Sequence, residues 1–450
     1  MKRLLAGAAG VILAVAVGGW LYLSNSPAGQ IYVPSGTGIT AKQICSLTFV
    51  SGLDPERARA LYTDPLLGDA RPLLRVRVDH EAETVKASAL GMLFRQTAIH
   101  REGLGCTLVH EPGAFDAGLA LPLSGEPDAM TLDTDWRDTQ FDSAALDAAL
   151  DLAFTDDGRN TLAALVLHDG RLIAERYAEG VTPETPLPGW SMTKSFAATL
   201  AGVLVQRGLL DVHAEGLAPD LAANGREAIT VDHLLRMTAG LDGFETGDGF
   251  DPASQMLFTQ ADMAHYAANR NVIHAPGEHW DYQSGDTILA GSVLGRYLGD
   301  TVPERQAALR RWLFEPLGMH HSVVEADEAG TLKLSSYMYA SARDWARLAQ
   351  LYLDGGRSGG EQIIPPGWAD YVTTPTPHSR RRYGAGFWLN NPGLPSDAFM
   401  MDGFQSQRVV IIPSESLVIV RLGATNGVYE DTTGFVNAVI TARKPDMAPE

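Results

Sequence analysis

The pair Asp169-Gly170 constrains this chain most, because of what flanks it. Thr161 to His168 and Arg171 to Tyr177 are rich in apolar residues, and a two-residue Asp-Gly joint is a strong hairpin turn. A second strand pair is expected far downstream, Gln407 to Ile412 and Leu417 to Leu422, with Pro413 to Glu415 turning between them. The chain between them, to about Gly355, reads as helical and loop-rich. Phe141 to Phe154 reads as an amphipathic helix and Thr432 to Arg443 as a final one. The expected class is α/β: an antiparallel sheet flanked by helices, plus a helical lobe, with the cleft between them as the natural site.

The remaining chain divides by composition. Lys2 and Arg3 precede an uncharged stretch from Leu4 to Leu23, long enough to cross a bilayer. Ser26-Pro27-Ala28 is a poor cleavage site, so residues 1–24 read as an uncleaved anchor, with secretion after cleavage as the alternative. The positive residues stay cytoplasmic and residue 30 onward faces outside, which implies a periplasmic protein on the inner membrane. Residues 25–38, with Ser, Pro and Gly, read as a linker. Residues 39–138 read as a small α+β unit: Asp54 to Leu67 helical, Leu73 to Arg77 and Thr84 to Leu93 strands. Its expected role is packing against the main domain, 139–450. Outside the cytoplasm its two cysteines, Cys45 and Cys106, are most simply paired. The formal net charge of −19 argues against nucleic acid, whose phosphates demand a basic surface. His320 and His321 are adjacent and cannot share one helix face. No metal or cofactor is expected, and membrane contact is expected through the N-terminal segment only.

The chemistry is concentrated in Gly189-Trp190-Ser191-Met192-Thr193-Lys194-Ser195. Residues three apart share a helix face, so Lys194 reaches back over the Ser191 hydroxyl. Serine attacks poorly until a base takes its proton, and a desolvated lysine gives up its own proton more easily. Lysine occurs only at positions 2, 42, 86, 194, 333 and 444, and only Lys194 has a serine three residues before it. The apolar run Phe196 to Val205 then reads as a buried helix, an unusual place to begin with a cation. Farther on, Tyr282-Gln283-Ser284 precedes another apolar helix, Ile288 to Tyr297. Neighbouring positive charge is expected to lower the Tyr282 pKa and make it a proton shuttle.

With these motifs the chain resembles the serine hydrolases of the beta-lactamase and penicillin-binding protein superfamily. The likeness is to its class C-like branch of esterases, D-amino-acid peptidases and 6-aminohexanoate-dimer hydrolases. It covers roughly residues 140 to 445 and is also carried by Leu234 to Leu241, Pro316 to Met319 and Ser336 to Arg347. The resemblance implies Ser191, Lys194 and Tyr282 as the catalytic set. It implies an oxyanion hole from the backbone N–H groups of Ser191 and Phe404, and substrate contacts from Trp190, Ser284 and Gly403. Met401-Asp402-Gly403 stands where the superfamily has Lys-Thr-Gly or His-x-Gly, so the cation that holds a beta-lactam carboxylate is missing. His378-Ser379-Arg380-Arg381-Arg382 reads as a solvated loop, with a carboxylate clamp as the alternative.

The leading expectation is an exported serine hydrolase cleaving a small amide or ester through an acyl-enzyme. A D,D-peptidase or beta-lactamase acting on cell-wall peptides or antibiotics is the enzyme alternative. An acylatable sensor without turnover is the non-enzyme one.

Overall fold

The computed structural model describes residues 19, 25–110, 115–122, 128–155, 158–217, 221–222, 226–247, 249–426 and 432–444. The apolar stretch 4–23 lies outside them, save for Gly19. Among the described residues no helix is long and apolar enough to cross a membrane.

The two expected strand pairs meet in one six-stranded antiparallel sheet. Leu417–Gly423 lies between Gln407–Ile412 and Thr161–His168, with Arg171–Tyr177 at one edge and Phe399–Gly403 then Trp388–Leu389 toward the other. Alternate residues serve opposite faces. Leu165, Leu167, Val409, Ile411, Val418 and Val420 enter the large core shared with the helix Met192–Gln206. Val166, Val410, Ile412 and Ile419 enter a second core under the helices Ser143–Ala153 and Thr433–Thr441. Both faces are therefore buried, which is why these strands read as nearly continuous apolar runs rather than alternating ones. Tyr383 to Leu389, which from its sequence reads as a strand, is one only at Trp388–Leu389, beside an isolated Tyr383–Trp388 bridge.

The N-terminal unit departs most from expectation. Residues 28–38 are helical, not a linker: Ala28–Tyr32 leads directly into Val33–Phe49. Pro34 falls in the first helical turn, where its missing N–H costs nothing. Gly38 is there for close approach, since a Cβ at that position would sit 2.2 Å from the Phe258 carbonyl oxygen. The small sheet has four strands rather than two, Leu74–Asp79, Thr84–Ala89, Leu93–Arg101 and Gly105–Val109 in that order. Its inner face, with Val85, Ala87 and Ala98, packs on Ala41, Ile44 and Cys45 of the helix, and a disulfide joins Cys45 to Cys106.

This unit is tied to the main domain rather than hung from it. Leu47, Leu53, Ala58 and Tyr62 belong to the large core. Beside the disulfide, the wholly buried Glu325 carboxylate pairs closely with Lys42 and accepts from Ser46 Oγ and the Cys106 backbone N–H, each at 2.7 Å. Lys333 Nζ stands 3.8 Å from the same carboxylate. Burial lowers the pKa of both lysines, and that of Lys333 falls well below its ordinary value because the neighbouring Lys42 charge adds to the effect of burial, against smaller upward pulls from Glu325 and Asp327.

Candidate active site

Ser191 begins the buried helix Met192–Gln206, and the turn that presents it is strained. Trp190 lies at φ 46°, a left-handed conformation that aromatic residues rarely adopt. Its carbonyl accepts from Thr193 Oγ1 at 2.7 Å, and Gly189 N–H donates to the Met338 carbonyl at 2.9 Å. Lys194 is buried behind the serine. Its Nζ reaches Ser191 Oγ at 3.0 Å, Ser284 Oγ at 3.1 Å and the Ser335 carbonyl at 3.1 Å. Burial pulls the Lys194 pKa down, against a smaller upward pull from Glu245. A lysine so placed gives up its proton more easily than a solvated one, which suits it to act as a base.

Tyr282 completes the cluster: its hydroxyl hydrogen-bonds Ser191, and Lys194 Nζ lies 5.0 Å from its ring centroid. The expectation of a lowered Tyr282 pKa is wrong. Burial raises it well above the ordinary value, the neighbouring Tyr383 and Glu245 add to the rise, and the Ser191 hydrogen bond offsets only part. The phenol therefore keeps its proton and is an acid in the resting site.

A cavity of about 390 Å³ opens on Ser191. Trp190, Phe404, Leu257 and Phe258 line it from the main domain, and Tyr32, Ile39, Leu66 and Leu67 from the N-terminal unit. Its charged lining among the described residues is acidic: Glu245 and Asp251. Glu245 accepts from Ser284 Oγ at 2.8 Å, so a carboxylate, Ser284 and Lys194 form one chain ending at Ser191.

The sequence model of the beta-lactamase family matches residues 144–440. The chain belongs to the beta-lactamase family. Over 228 residues it is 26% identical to a 6-aminohexanoate-dimer hydrolase of Paenarthrobacter ureafaciens, covering 47% of this chain and 57% of that one. It is 29% identical over 184 residues to penicillin-binding protein 4 of Amycolatopsis lactamdurans, covering 39% and 44%. The match thus spans roughly half the length of these curated relatives. The fold agrees with a penicillin-binding protein homolog from Caulobacter crescentus at a TM-score of 0.55 and 21% identity, covering 67% of this chain and 97% of that one.

For a beta-lactamase-family chain, several expected site residues fall in unexpected places. Trp190 and Phe404 line the cavity, their rings edge to face at 5.5 Å. Ser284 and Gly403 do not. Ser284 is buried between Lys194 and Glu245, where it orients the lysine. Gly403 is pressed against the turn before the nucleophile, where a Cβ would come 2.2 Å from the Gly189 carbonyl oxygen. Met401, aligned with the missing cation, is wholly buried in the core, and Asp402 pairs with Arg408 at 2.8 Å. A lysine at 401 would thus enter the core rather than the cavity. Arg380, Arg381 and Arg382 are exposed and none lines the cavity. Sequence reasoning missed Glu245, Ser335 and the N-terminal wall. All three reach the site through tertiary packing, and no local pattern marks them.

Proposed function

We propose that this protein is a serine hydrolase that cleaves neutral esters or amides carrying an apolar acyl group, through an acyl-enzyme on Ser191. One observation carries the reading: the buried Lys194 amine, its pKa pulled down by burial, stands 3.0 Å from the hydroxyl of Ser191, which lines a largely apolar cavity. In acylation Lys194 takes the Ser191 proton as the oxygen attacks the carbonyl carbon. Tyr282 gives its proton to the leaving oxygen or nitrogen and is refilled from the Lys194 ammonium. Water then attacks the acyl-enzyme by the same path reversed. The backbone N–H groups of Ser191 and Phe404 are the proposed oxyanion donors; the contact of Gly403 with Gly189 brings the two segments together.

The acidic lining argues against carboxylate-bearing substrates. A carboxylate entering beside Glu245 and Asp251 loses hydration and meets like charge. Neutral short-chain p-nitrophenyl esters should be turned over and nitrocefin hydrolysed slowly or not at all. A fluorophosphonate should label Ser191, and Ser191→Ala should lose both labelling and several powers of ten in turnover. An active Ser191→Ala variant would overturn the reading; a single acyl equivalent with no turnover would leave the acylatable sensor. The name of the relative from Paenarthrobacter ureafaciens supports amide hydrolysis as the chemistry to test first. The stretch 4–23 supports export, with the hydrolase domain on the periplasmic side.

A further inference from the structure

The outer face of the small four-stranded sheet is basic in a protein whose net charge is −19. Arg75 and Arg77 project from the first strand, Lys86 from the second and Arg95 from the third, all exposed. Arg77 lies directly opposite Lys86 in the antiparallel register. Like charges so placed repel. Lys86 opposes Thr97 on the third strand, and Arg95, two residues before Thr97, shares its face. None of the four side chains makes an ion pair or hydrogen bond with another described residue. The acids of this sheet, Asp79, Glu81 and Glu83, gather at the turn that joins the first two strands, and Asp79 shares the outer face two residues beyond Arg77.

The opposite end, two residues from Arg75 and from Arg95, is apolar. Leu73, Leu90, Met92 and Leu93 are 52%, 45%, 75% and 38% exposed. They form one patch: Leu90 N–H donates to the Leu73 carbonyl at 2.9 Å, and Leu93 opposes Ala89 across the turn. An apolar tip with Arg75 and Arg95 beside it, and Arg77 and Lys86 behind them on the same face, fits one chemistry, a lipid surface with anionic headgroups. The tip enters the acyl boundary while the cations stay among phosphates.

We propose that this sheet face docks the protein on an anionic membrane surface. The sequence reading placed membrane contact in the N-terminal segment only; this face is a second contact, made by the folded unit itself. Because Cys45 and Cys106 are joined, a single cysteine introduced as Met92→Cys can carry an environment-sensitive fluorophore on the full chain. A matched label at Leu209→Cys, an exposed position of the main domain, reports any tether that leaves the sheet in water. On phosphatidylglycerol vesicles the label at 92 should shift to the blue and be quenched by brominated lipid, while the label at 209 should not. The response should vanish on pure phosphatidylcholine and at high salt. Reversing two cations, Arg75→Glu with Lys86→Glu, should weaken docking about 30-fold or more. A solvated label at 92 on phosphatidylglycerol would overturn the proposal. So would an equal response on both lipids, or a response to acidic polypeptide but not to vesicles.

Discussion

At Lys194 two environments pull in opposite directions. Burial favours the neutral amine, and Glu245 favours the ammonium. If Lys194 is the base, kcat/KM must fall as pH drops through its pKa. Removing a negative neighbour lowers an ammonium's pKa, so Glu245→Gln should move that acid limb to lower pH. It should do so without abolishing activity, since a glutamine oxygen can still accept from Ser284. An unmoved limb would exclude Glu245 from the relay. Tyr282→Phe should cost roughly two or more powers of ten in turnover, the usual worth of a positioned acid. Labelling by a fluorophosphonate should suffer less, because fluoride leaves without a proton. Ser191, Lys194 and Tyr282 were legible because their motifs are local: a three-residue spacing on a helix, and a tyrosine just before another helix. Glu245 and the Ser335 carbonyl lie in connecting segments, and their roles exist only once distant chain is packed together.

Among elements, the strands of the main sheet were legible because a two-residue turn and apolar runs leave few alternatives. The third and fourth strands of the small sheet were not. Thr84 to Leu93 reads as one strand, yet the chain reverses at Leu90-Gly91-Met92, where Leu90 takes a positive φ. The first helix was hidden by Pro34, Gly36 and Gly38, which signal a loop locally but serve helix entry and close packing here. The joint between this helix and the main domain rests on Glu325. Glu325→Gln would leave Lys42 buried without its counter-charge and should cost about 3–5 kcal/mol in urea unfolding. A shift of only a few tenths would mean that water already reaches the cluster.

For the whole molecule, the site belongs to two regions of sequence at once, and this was the part least legible in advance. Composition gives no hint that Tyr32, Ile39, Leu66 and Leu67 line the cavity with Ser191, because apolar residues on a helix read equally as core. If the cavity holds the acyl group, narrowing it from the N-terminal side should shorten the preferred chain. Ile39→Trp should depress kcat/KM for medium-chain p-nitrophenyl esters by about tenfold or more, the worth of a methylene or two, while acetate is hydrolysed as before. Gly36→Val is a milder form of the same test, since a Cβ there would meet Leu67 at an ordinary 3.6 Å. A uniform loss over all chain lengths would point instead to a general disturbance of the fold.

That two-part wall bears on how such proteins diverge. The matched region, residues 144–440, holds Ser191, Lys194 and Tyr282, while Tyr32, Ile39, Leu66 and Leu67 lie wholly upstream of it. On the proposed function, part of the wall that would select the substrate is thus encoded apart from the residues that would cleave it. A relative with a different upstream segment would then differ in the substrates it accepts while keeping Ser191, Lys194 and Tyr282 in place. Conversely, two proteins nearly alike over the shared region need not compete for the same molecule.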